Sequence, residues 1–142
     1  MRVGCADQHM HGAETVTVSA EALCAVALSM AGSLVAHGFR VLVLLSTHGG
    51  NQAVLENTAQ ELGRQYNDVV VCAPRGDVGP APGSHSGRWL TSVMLLVRPD
   101  LVDVDAAHED IKDEVRAASF ERGRENLERF VSSIVQAVRD AT

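Results

Sequence analysis

The chain has 142 residues and a mass of 15.1 kDa, which fits one domain spanning residues 1–142 with a real hydrophobic core and no need of disulfide staples. Hydrophobic residues make up 46% and charged ones 21%, the balance of a globular protein and not of a disordered tail. A formal net charge of -6 argues against a general phosphate-backbone binder, whose footprint would be basic, so no nucleic-acid partner is expected.

Aromatic residues are scarce at 4%, so the core must be built from Val, Leu, Ile, Ala and Met. Cys5, Cys24 and Cys72 are far apart, odd in number and without C-x-x-C spacing. That pattern suits buried free thiols in a reducing cytoplasm. No charged-then-apolar signal opens the chain, and its longest apolar-rich stretch, residues 22–35, is broken by Ser29, Gly32 and Ser33. A cytoplasmic protein with no membrane partner is expected.

In chain order, residues 15–18 (TVTV) alternate as a strand would, and Ser19 offers an N-cap to the helix that follows. Leu23, Val26, Ala27, Met30 and Leu34 recur at helical spacing through a run free of proline, with Gly38 as the stop. Residues 40–46 (RVLVLLS) predict a parallel strand covered on both faces. A Gly-containing turn at residues 47–51 leads into a helix over 53–66 with Leu55, Ala59 and Leu62 inward, then a strand over 68–73. This alternation predicts an α/β fold, a layered sandwich with a mainly parallel sheet flanked by helices.

Residues 74–87 are too rich in Gly and Pro for regular structure and predict a site loop. A helix over 88–97 is closed by Pro99, and the acidic, weakly periodic residues 100–116 predict a surface connection. Leu127, Phe130, Val131, Ile134 and Val138 keep a 3.6-residue period and make the last helix the clearest element.

His48 stands in S-T-H-G-G-N, where a strand meets a helix on the carboxyl side of the sheet, the rim at which open α/β folds bind ligands. Gly49 and Gly50 allow close backbone approach, and the following helix N-terminus supplies N–H donors. An imidazole there can bind a metal or polarise a carbonyl. It can equally cap a backbone group in a turn whose glycines only relieve strain. His85 lies in G-S-H-S-G, again before a helix, as a candidate general acid or base or as a plain loop residue. The order of elements predicts that His48 and His85 share one rim. Asp7, His9 and His11 alternate, a pattern that makes a metal nest only if the segment is extended.

Together these runs resemble the creatininase family. Residues 46–51 are similar to its N-G-H-G-G-N turn, residues 84–95 (SHSGRWLTSVML) to its H-A-G-E-x-E-T-S-L-M-L segment, and residues 98–103 (RPDLVD) to its R-P-E-L-V-D. Residues 4–18 resemble its G-x-S-x-E-H-x-x-F-P-G-T-x-S-L stretch, and a fainter likeness returns at 118–127. The resemblance implies an oligomeric creatininase-like α/β fold that hydrolyses C–N bonds of small amides with a metal-activated water. It assigns His48 as a metal ligand, His85 as the proton-transfer residue, and Gly49, Gly50, Asn51 and Trp89 to substrate binding.

The departures matter as much. Of the family's ligands only His48 is kept: the E-x-H pair and following Asp would precede Met1, the late Glu position is Leu90, and Arg88 replaces the other Glu. The expectation is therefore a degenerate metal site, with no cofactor alone and a divalent Zn, Mn or Fe only in a complex. The chain reads as a pseudoenzyme subunit that forms homo- or hetero-oligomers with a creatininase-family protein. The competing readings are a non-catalytic structural or small-molecule-binding protein, and an active amidohydrolase with a mis-assigned start. Leu90 counts against the latter, because a misplaced start cannot change an internal residue.

Overall fold

The computed structural model describes residues 4–10, 16–79, 83 and 85–142. They gather into two compact units, Met1–Arg75 with Ala137–Thr142, and Gly76–Gln136.

The first unit opens its regular structure with α1, Ala20–Ala36. Ser19 caps it as predicted, its Oγ accepting from the Ala22 N–H at 3.2 Å. Strand β1, Val41–Val43, pairs in parallel with β2, Val70–Cys72, and α2, Gln52–Gln65, crosses between them. The register sets Val41 beside Val70 and Val43 beside Cys72. Ala31, Leu42, Leu62 and Val69 form the core, with Leu28, Val35, Leu44, Tyr66 and Val71 packed round it. This parallel β–α–β arrangement with flanking helices is an α/β layered fold, as expected from the alternation of elements.

Several local expectations are corrected. Residues 16–18 form no strand, and residue 15 lies outside the described residues. Thr17 uses its hydroxyl on the Ala6 N–H and the Asp7 carboxylate, and Val16 stands 88% exposed. Strand β1 is three residues long and buried on one face only, because Leu42 turns to the core while Val41 and Val43 turn away. In α1, Leu23 and Ala31 are buried whereas Val26, Met30 and Leu34 are exposed, so its apolar stripe is wider than the core it covers. In α2 the fully buried partner of Leu55 and Leu62 is Thr58, not Ala59. Its hydroxyl donates to the Val54 carbonyl at 2.7 Å, which lets a polar side chain sit inside.

Removing the α1 cap with Ser19→Ala should cost roughly 1 kcal/mol, read as a lower urea midpoint with an unchanged slope. Burial raises the Cys72 thiol above its usual range. Less thiolate is then present near neutrality, and iodoacetamide should modify Cys72 more slowly than it modifies glutathione.

In the second unit α3, Arg88–Val97, matches its predicted bounds. It is followed by α4, Lys112–Arg116, and by α5, Phe120–Ala141. The fully buried Ser92 joins α3 to the start of α5: its Oγ donates to the Arg88 carbonyl at 2.7 Å and accepts from the Ser119 N–H at 3.2 Å. Residues 100–116 are more than a surface connection. Two single 3-10 turns, Pro99–Leu101 and Glu109–Ile111, and the helix α4 fold there, with Val115 buried. Arg98 anchors the first turn with a two-pronged pair to Asp100, which holds that carboxyl below its usual range. Among the described residues, no helix is long and apolar enough to cross a membrane.

Candidate functional site

The S-T-H-G-G-N run follows β1 and turns into α2 through a 3-10 turn, Gly49–Asn51. Ser46 organises it. Its Oγ accepts the His48 N–H at 3.0 Å and the Asn51 Nδ2–H at 3.1 Å, and donates to the His48 carbonyl at 3.0 Å. From that frame Asn51 Oδ1 accepts the Cys5 N–H at 2.7 Å, and His48 Nε2 lies 2.9 Å from the Cys5 carbonyl oxygen. Gly4 packs so closely on Asn51 that a Cβ there would lie 2.9 Å from both Oδ1 and Nδ2. Asn51 is buried, whereas Gly49 and Gly50 are exposed.

The His9 ring stands 5.9 Å from the His48 ring, a neighbour that sequence reasoning passed over. Residues Asp7–His9 form a 3-10 turn, so Asp7 and His9 do not alternate along an extended face as a metal nest requires. His11 lies outside the described residues. Thr17 donates to the Asp7 carboxylate at 2.9 Å.

His85 belongs to the second unit, exposed in the turn that precedes α3. Beside it Ser86 takes a left-handed φ of 59°, a conformation that costs a non-glycine residue energy. Part of the predicted site loop, residues 80–82 and 84, lies outside the described residues; residues 74–79 are irregular, as expected. Trp89 packs its ring on Phe130 at 5.8 Å, and its indole N–H is buried without an acceptor among the described residues. Leu90 lines a cavity of about 460 Å³ with Met94, Leu101, Val102, Ile111 and Val115. Asp103 and His108 also face this cavity, and Leu90 is 41% exposed.

A divalent cation needs several lone-pair donors converging on one point. Among the described residues no three His, Cys, Asp or Glu side chains gather in that way. The nitrogen of His48 nearest Cys5 faces a carbonyl oxygen, which can only accept, so that nitrogen carries a hydrogen and offers no lone pair. Leu90, which the resemblance sets at the family's late ligand position, is an apolar side chain. The described residues therefore offer no complete ligand set, and a cation on His48 would have to bind at Nδ1.

Comparison with known proteins places these features. The profile of the family described as creatininase, creatinine amidohydrolase, matches residues 1–133. A mycofactocin precursor peptide peptidase of Mycobacterium ulcerans is 32% identical over 103 residues, covering 72% of this chain. The chain spans 39% of that relative's length. The crystal structure of a creatinine amidohydrolase superposes with a TM-score of 0.76 at 22% identity, over 97% of this chain and 72% of that one. A point mutant of creatininase, of Zn–Zn type, superposes at 0.70 with 25% identity, over 92% and 67%.

Proposed function

This chain belongs to the creatininase family, and from that premise we propose that it acts as a subunit beside a complete homologous chain in a metal-dependent complex that makes or breaks amide C–N bonds. Residues 1–142 are read as one creatininase-like domain, placed in the cytoplasm. The amidohydrolase named by the family and the peptidase named by the relative both act on an amide bond. A small amide is accordingly the substrate class.

The observation that carries the reading is the mismatch inside the chain itself. The fold and the H-G-G-N turn are kept, while Leu90 and Arg88 occupy positions where the family's motif has carboxylates. A scaffold retained without its ligand set suits a supporting subunit better than an independent hydrolase. In this reading the complete homologue holds the cation. His85 is taken as the proton-transfer residue, and Gly49, Gly50, Asn51 and Trp89 as substrate-binding residues. His85 stands exposed on a turn, so it can face a substrate without being needed by the core.

The test is to titrate the chain into a complete homologue while following molar mass by light scattering and amide hydrolysis by product release. A stable complex and a changed rate are expected. His85→Ala should lower that rate by roughly tenfold to a hundredfold and leave assembly intact. A monomeric chain that changes nothing at micromolar concentration would defeat the proposal, and an unchanged rate in His85→Ala within a formed complex would reduce the chain to a scaffold. Restoring a carboxylate with Leu90→Glu should not confer metal binding, because one added oxygen pair still leaves too few donors. Elemental analysis of that variant checks it.

A further inference from the structure

We propose that His48 Nε2 serves this chain as a clasp on the backbone of Cys5 and is not a metal-ligating nitrogen, with Asn51 as the second arm of the clasp. The inference goes beyond the subunit reading, since it concerns the chain by itself. Two side chains from one turn hold both polar groups of a single residue: Asn51 Oδ1 takes the Cys5 N–H at 2.7 Å, and His48 Nε2–H is given to the Cys5 carbonyl at 2.9 Å. Cys5 is buried, where either backbone group would be expensive to leave unmet. The clasp thus does for residue 5 what a neighbouring strand does in a sheet.

The chemistry makes the two roles of His48 exclusive at that nitrogen. A ligand must offer a lone pair, and a donor to a carbonyl must carry a hydrogen. The Asn51 amide has its orientation fixed in the same way, since the Cys5 N–H can only donate and so requires the amide oxygen, which leaves Nδ2 to donate to Ser46 Oγ at 3.1 Å. Gly4 is the residue that permits the approach, because any side chain there would collide with Asn51. Val18 adds its N–H to the Gly4 carbonyl at 3.1 Å, so the segment is tied on two sides.

Nitrogen-15 NMR of the full chain, first with a chelator and then with one equivalent of Zn²⁺, tests this directly. The expected result is a His48 imidazole with hydrogen on Nε2 and a slowly exchanging Cys5 amide, both unmoved by zinc. Asn51→Ala and His48→Ala should each speed exchange of the Cys5 amide by about tenfold or more, whereas His48→Gln, which retains an N–H donor, should restore part of the protection. A His48 resonance that shifts with one bound equivalent of zinc and loses its Nε2 hydrogen would overturn the proposal, as would unchanged Cys5 protection in His48→Ala. Should the alanine variants fail to fold, the tautomer and the zinc titration of the unaltered chain decide it.

Discussion

Gly123→Val should abolish cooperative folding of the second unit, with a loss of roughly 3 kcal/mol or more. Gly123 is buried on α5, and a Cβ built there would fall on the carbonyl oxygen and carbon of Ser92. That obstacle is backbone, so no rotamer change can clear it. Ser92 is in turn fixed, since its hydroxyl bonds both the Arg88 carbonyl and the Ser119 N–H. The two helices would have to separate and break those bonds. Gly63→Ala is the fitting control, because nothing lies within 4 Å of a Cβ at that position in α2. It should be neutral or gain up to roughly 1 kcal/mol from helix propensity. Urea denaturation followed by circular dichroism separates the two, and a Gly123→Val midpoint equal to the wild type's would show the helix contact to be dispensable.

Phe130→Asp should be nearly as damaging, at about 3–4 kcal/mol, because it combines the loss of a packed ring with the introduction of a charge against apolar neighbours. The ring lies 5.8 Å from that of Trp89, and it also covers Gly76 so closely that a Cβ there would strike it. Trp89 is the chain's single tryptophan and reports the change without a label. Its emission should shift to the red and be quenched more readily by iodide, and the variant should fail to assemble with a homologous chain. Phe130→Leu keeps an apolar side chain and should lose less than half as much. Trp89 emission unaltered in Phe130→Asp would disprove the contact.

The legible parts of the sequence were those where a local rule and the tertiary structure agree. Ser19 before an apolar run gave a true cap, and the bounds of α3 followed from the Gly- and Pro-rich loop before it and Pro99 after it. The failures have physical causes. Residues 16–18 have strand composition, but a strand needs a partner edge, and the Thr17 hydroxyl binds the Ala6 N–H instead. Val26, Met30 and Leu34 fit a helical period, yet period says nothing about how much surface the rest of the unit can cover. In residues 100–116 the acidic composition masked Ile111 and Val115, which are spaced as one helical face and fold inward as a small element.

The candidate site was half legible. The H-G-G-N turn could be found because glycines and a histidine at a strand end are a local signal. The partner of that histidine could not, since Cys5 is joined to it through a backbone carbonyl, and backbone groups leave no trace in residue type. The only sign was Gly4, whose missing side chain makes room for Asn51. His9 beside His48 has the same origin, because a 3-10 turn and not an extended segment carries it there.

The claim that this family member does not hold a catalytic metal by itself is tested most directly by the metal content of the purified chain after equilibration with excess Zn²⁺, Mn²⁺ or Fe²⁺ and removal of free ion. No stoichiometric metal is expected with any of the three, because the described residues bring no three ligating side chains together. One full equivalent that disappears in His48→Ala would contradict it.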